Sequence, residues 1–127
     1  MTPEQLMVRQ FHDTFKIQSS DTPCVPDLKT RALRTSLINE EFLELEQAFL
    51  NGSITEIADA LGDLLYVIYG AAIACGLDMQ PIFAEIHRSN MTKIGGHKRE
   101  DGKWVKPDTY SPPNLLPIIK RMRNDED

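Results

Sequence analysis

Apolar residues recur along this chain at intervals of three and four, the spacing of one face of an α-helix. Leu6, Met7, Phe11 and Phe15 predict a first helix running to about Lys16. Thr2 caps it, with Pro3 at its first position and Gln5 three residues after the cap. Pro23 and Pro26 break any helix between Ser19 and Asp27. A second helix follows from about Leu28 to Leu50, striped with Ile38, Phe42, Leu45 and Phe49 and closed by Asn51-Gly52. Ser53, with Glu56 three residues on, matches a capping box and opens a third helix. From Leu64 to Leu77 that helix is apolar on every side, which places it at the centre of a bundle or in an oligomer interface. Gly62, Gly70, Ala71, Ala72 and Ala74 permit a close helix approach there, and Gly76 stops the helix. A fourth helix runs from near Asp78 through Ile82, Phe83 and Ile86 to about Met91. Gly95-Gly96 ends the helical pattern; Lys98 to Lys106 reads as a loop or small hairpin around Asp101-Gly102. An extended linker from Tyr110 to Asn114 and a short helix near Leu115 to Arg123 complete the chain.

Two acidic clusters interrupt this pattern. On a helix, Glu40, Glu41 and Glu44 fall within about 100° of one another, and Glu56, Asp59 and Asp63 within about 60°. Solvated acidic faces are common, but Leu33, Leu37 and Ala48 share the sector of the first cluster, and Asp63 runs directly into the apolar stretch. Carboxylates in apolar surroundings must be neutralised, and a hard divalent cation with oxygen ligands does this for several at once. Glu56 has a second reading as a helix cap that complements the dipole. His12, between Phe11 and Phe15, reads first as a core-edge or surface histidine and second as a ligand or base-contacting group.

The totals narrow the classes. At 127 residues one domain is expected, and a net charge of −5 argues against nucleic acid as partner. The acid excess lies in the two clusters and in the tail Asn124-Asp125-Glu126-Asp127. Two cysteines, Cys24 and Cys75, fit a reduced intracellular chain better than a disulfide framework. The start lacks the basic and apolar regions of a signal peptide, and the 14 residues from Leu64 to Leu77 are short for a membrane span. A cytoplasmic protein with no membrane partner is expected.

Downstream stands a basic set: His87, Arg88, Lys93, His97, Lys98, Arg99, Lys103 and Lys106. Taken alone it is an ordinary solvated loop. Paired with acids that hold a cation, it describes a site for a metal-chelated polyphosphate. Competing motifs are missing. Gly95-Gly96-His97-Lys98 is too short for a Walker-type loop, Glu85-Ile86-His87 has the wrong spacing for a di-iron pair, and no Cys or His set has zinc spacing.

The run Glu40-Glu41-x-x-Glu44, then Glu56-x-x-Asp59 and Asp63-Leu64-Leu65-Tyr66-Val67, resembles the all-α nucleoside triphosphate pyrophosphohydrolases. These include the MazG-like, dimeric dUTPase-like and phosphoribosyl-ATP pyrophosphohydrolase-like proteins. Phe11-His12-x-x-Phe15 resembles the first helix of the last branch. His87-Arg88-Ser89-Asn90-Met91-x-Lys93, Asp101-Gly102-Lys103 and Lys106-Pro107 resemble its C-terminal segment. The resemblance implies an all-α, four-helix-bundle-like fold and cleavage of a nucleoside triphosphate between its α and β phosphates, with Mg²⁺ as cofactor and Mn²⁺ as a substitute. It implies Glu41, Glu44 and Asp63 as metal ligands and Glu40 as a ligand or water-activating base. Asn90 and Lys93 would contact the nucleotide or its phosphates; Lys98 or Lys106 would close over them, and His87 and Arg88 belong to the same segment. Many relatives carry an acid where this chain has Ala60, so Asp59 or Glu56 must substitute.

The expected protein is therefore a single all-α domain, with a helical core over 1–94 and a C-terminal loop, linker and helix over 95–127. It would be a homodimer or homotetramer that hydrolyses a nucleotide in pool house-cleaning. The alternatives are a nucleotide-binding sensor of the same fold or a non-catalytic helical interaction protein.

Overall fold

The structure, a computed structural model, describes residues 1–124; Asp125-Glu126-Asp127 of the acidic tail lie outside the described residues. It is all-α apart from one small ribbon: α1 Pro3–Phe15, α2 Leu28–Asn51, α3 Ile54–Ala74, α4 Met79–Met91, β1 His97–Lys98, β2 Trp104–Val105 and α5 Leu116–Met122. By packing, the chain divides into two compact units, residues 1–79 and residues 80 onward.

Local chemistry sets the helix ends of the first unit. Thr2 accepts the Gln5 N–H, Asp27 that of Thr30 and Ser53 that of Glu56, each serving one of the unpaired amides of a first turn. Gly52 closes α2 in the left-handed region at φ 68°, which glycine adopts without strain. Only Gly52 and Ser53 separate α2 from α3, so α3 folds back along α2, while α1 packs on α3. The loop after α1 is tied to the end of α3: Ser20 N–H donates to Ile73 O (3.0 Å), Cys24 N–H to Cys75 O (2.9 Å) and the Gln18 amide to Ala74 O (3.3 Å). Those are carbonyls that a helix terminus leaves unpaired. At Gly76 the chain turns with φ +67°, and a β-carbon there would collide with the Thr22 carbonyl. Gly76→Ala is expected to cost about 2–3 kcal/mol through strain and overlap together. Urea unfolding of the variant would measure it, and an unchanged midpoint would contradict this packing.

The core of the first unit is built from small residues: Ala48, Ala60, Gly70, Ala72 and Ala74 with Val8 and Ile73. The inward face of α1 differs from the expected one. Gln5, Val8 and His12 are buried, whereas Leu6, Met7, Phe11 and Phe15 remain exposed. Gln5 is held inward because its amide donates to Leu77 O (2.7 Å) and its carbonyl accepts the Met79 N–H (2.9 Å). In α2 the inward positions are Arg34, Leu37, Ile38, Glu41, Leu45 and Ala48, while Phe42 and Phe49 of the expected stripe are at least half exposed. α3 is 21 residues long, and its most apolar 18-residue window has a mean hydropathy of 1.5, enough by length and composition to cross a membrane. The 14-residue run understates it because the helix begins ten residues earlier, at Ile54. It packs on both α1 and α2.

In the second unit, α4 is followed by an antiparallel ribbon pairing His97 with Val105 and Lys98 with Trp104. Glu85 clasps the segment after the ribbon. Its carboxylate accepts two Arg88 hydrogen bonds (both 2.8 Å) and the Asn114 N–H (2.8 Å). The Arg88 guanidinium first, and Asn114 second, hold its carboxyl down at about 2. A depressed carboxyl stabilises the fold above the ordinary carboxylate range and loses that contribution as pH falls toward 2. Glu85→Gln should therefore speed proteolysis between residues 108 and 115 at neutral pH, with cleavage of the first unit unchanged; equal rates would refute the clasp.

Candidate metal centre and basic segment

Glu41, Glu44 and Asp63 each offer a carboxylate oxygen, and the three lie within 4.8 Å of one another. The first two stand one turn apart on α2, and Asp63 comes from the facing wall of α3. Glu41 is half-buried, and its Oε2 is buried with no hydrogen-bond partner among the described residues. Burial pushes its carboxyl up, and a hydrogen bond with Glu44 and the charges of Glu44, Asp63 and Glu40 push the same way. Asp63 is raised by burial first, then by Asp59 and Glu44. Three hard oxygen donors converging with no ion pair among the described residues, one of them buried and unsatisfied, fit a divalent ion with oxygen preference.

The other expected ligands take different places. Glu40 is exposed on α2, outside the converging set but close enough to raise Glu41. Glu56 accepts a hydrogen bond from Asn51 Nδ2 (2.9 Å), and Asn51 in turn accepts one from Gln47 (2.9 Å). Glu56 therefore serves the α2–α3 turn. With Asp59, Glu44, Gln47, Ala48, Asn51 and Ala60 it lines an open groove of about 240 Å³ beside the cluster. Ala60 is buried, so an acid at that position would point into the helix contact; Asp59 looks outward instead.

The basic residues belong to the second unit. Arg88 is engaged by Glu85 at the i, i+3 spacing of a helical pair, and by Ser111 Oγ (3.3 Å) and Pro112 O (3.1 Å), two contacts that sequence spacing does not reveal. Lys93 and Lys106 place their ammonium groups over the Tyr110 ring, 5.9 and 4.5 Å from its centroid. His87, Asn90 and Lys98 are exposed. Asn90, Met91, Lys93, Ile94 and Trp104 line a shallow groove of about 210 Å³. Trp104, whose indole N–H donates to Lys93 O (2.7 Å), was not marked by sequence; a single exposed tryptophan beside lysines was the available signal. Arg34 is the second residue missed. It stands seven positions before Glu41 on the same face of α2.

Comparison with known proteins agrees with this architecture. A family model described as phosphoribosyl-ATP pyrophosphohydrolase matches residues 8–90, which include α2, α3 and the acid cluster. Over 51 residues the chain is 43% identical to an uncharacterized protein of Acanthamoeba polyphaga mimivirus. That match takes in 40% of this chain and 20% of the viral protein, so the similar stretch is about a fifth of the relative's length.

Proposed function

Because the chain belongs to the phosphoribosyl-ATP pyrophosphohydrolase family, we propose that it is a Mg²⁺-dependent nucleoside triphosphate pyrophosphohydrolase serving nucleotide house-cleaning. The observation that carries this reading is the convergence of Glu41, Glu44 and Asp63 around an unsatisfied buried carboxylate oxygen. These three would hold Mg²⁺, with Mn²⁺ able to replace it. The ion would offset phosphate charge and polarise a phosphoryl oxygen. Glu40, exposed and adjacent, would take a proton from water as its oxygen attacks the α-phosphorus. The bond from that phosphorus to the bridging oxygen then breaks, releasing pyrophosphate and leaving the monophosphate. Asp59 and Glu56 border the groove next to the cluster and would orient hydrating water there. The second unit carries Asn90, Lys93, Lys98, Lys106 and His87, which would contact phosphate, while Arg88 is held by Glu85. The exposed Leu61, Leu65 and Ile68 of α3 and Phe42 and Phe49 of α2 support a homodimer or homotetramer, and a cytoplasmic location goes with the family reading.

Product analysis over a panel of ribo- and deoxynucleoside triphosphates with Mg²⁺ tests the reading. Monophosphate with pyrophosphate is expected. Diphosphate with phosphate, or no turnover of any nucleotide with either ion, would overturn it.

A further inference from the structure

Arg34 stands seven residues before Glu41 on α2, and Gly70 stands seven residues after Asp63 on α3. Seven residues are two turns, about 10.5 Å along a helix. Since α3 folds back along α2, equal steps lead from the Glu41–Asp63 contact to a second contact between Arg34 and Gly70. A β-carbon placed on Gly70 would lie 2.5 Å from Arg34 Nη1 and 3.3 Å from His12 Nε2. Three helices thus meet at one polar spot, with His12 from α1, Arg34 from α2 and a bare backbone from α3.

Gln18 accounts for one ring nitrogen of His12, which leaves its Nε2 and the guanidinium of Arg34 to be explained. Arg34 is half-buried, and no hydrogen bond or ion pair of its guanidinium is found among the described residues. Burial lowers it, and no acid acts against that. A desolvated guanidinium normally finds an acceptor. His12 is 2% exposed, and its Nδ1 lies 3.1 Å from Gln18 O. That contact puts the ring proton on Nδ1 and leaves Nε2 as an acceptor on the side of Arg34. Burial first, with the Arg34 charge adding to it, keeps the ring neutral against the Gln18 hydrogen bond. The spot therefore offers strong donors beside an acceptor, in the helical unit that carries the acid cluster and two turns away from it. That separation is about the span from the phosphates to the base of an extended nucleotide.

Resting on the pyrophosphohydrolase reading, we propose that Arg34 and His12, seated over Gly70, read the base of the substrate through a lactam edge. Arg34 donates to the ring carbonyl, and His12 Nε2 accepts from the neighbouring ring N–H. Guanine, uracil and thymine present that edge; adenine and cytosine do not. A site built to pair such groups rejects bases that leave them unpaired.

The test compares kcat/KM for dGTP, dUTP, dTTP, dATP and dCTP, with Mg²⁺-supported binding of their non-hydrolysable α,β-methylene analogues. The wild type is expected to favour the lactam bases by about tenfold or more, the discrimination typical of a good paired contact. Arg34→Met and Gly70→Ala should each bring the five bases within about threefold of one another. Gly70→Ala guards against a folding artefact, because alanine favours helix and the overlap falls on the movable end of Arg34. A uniform loss over all five bases, with the ratios kept, would assign Arg34 to phosphate or to structure and overturn the proposal, as would a wild type without base preference. Selective binding without turnover would keep the lactam site and remove the pyrophosphohydrolase reading. Turnover whose base ratios ignore both variants would do the reverse, and neither binding nor turnover would end both.

Discussion

Glu41→Gln is expected to lower nucleotide turnover by roughly 10²- to 10³-fold, the range for losing a group that supports charge in a transition state, while the metal-free protein melts at a higher temperature. The two effects share one cause. Glu41 has a buried oxygen with no partner and sits against Glu44, Asp63 and Glu40, so its charge is unfavourable until a cation arrives. Glutamine keeps the shape and removes the charge. A gain of about 1 kcal/mol would raise the midpoint by roughly 3–5 °C for a chain of this size. Sites that bind commonly sacrifice stability in this way. Thermal scans without metal, beside turnover with Mg²⁺, give both numbers. If the variant melts lower and still turns over nucleotide, Glu41 is a structural residue and not a ligand.

Removing the metal should destabilise the protein more at pH 8 than at pH 5. Both Glu41 and Asp63 have raised carboxyls, so the folded metal-free chain binds protons more tightly than the unfolded one. Their contribution is present below the ordinary carboxylate range and is lost as pH rises through the raised folded values. Metal binding requires the deprotonated groups and therefore strengthens over the same window. With free Mg²⁺ at a hundred times its dissociation constant, the stabilisation reaches about 2.7 kcal/mol, or roughly 10 °C. The check is a pair of melting curves, with Mg²⁺ and with chelator, at several pH values. A gap that stays constant with pH, or no gap, would rule out a cation on these carboxylates.

What the sequence made legible was local. Caps at Thr2 and Ser53 and the stop at Gly52 each depend on residues within one or two turns, and the structure has them in place, while of the α2 acids Glu41 and Glu44 converge and Glu40 stays outside. What it hid was orientation between helices. The α1 ridge of Leu6, Met7, Phe11 and Phe15 announced a buried face, yet Gln5 and His12 turn inward because partners at Leu77, Met79 and Gln18 satisfy them. Periodicity reports that a face is apolar, not what covers it. Glu56 likewise kept two readings until Asn51 was seen to hold it. Arg34 gave no sign, since an arginine early in a long helix reads as solvated.

The two-residue turn between α2 and α3 has a consequence for how such a chain can vary. Gly52 stands eleven residues after Glu41 and eleven before Asp63, and eighteen residues after Arg34 and eighteen before Gly70. The hairpin works as a folded ruler, and every cross-helix partnership is fixed by counting from its crease. Substitutions along either arm change one partnership at a time. A single residue added at the crease would offset all of them together, rotating one arm by about 100° against the other. Descendants of this chain can therefore exchange many side chains on the two arms, but they are expected to keep the number of residues between them.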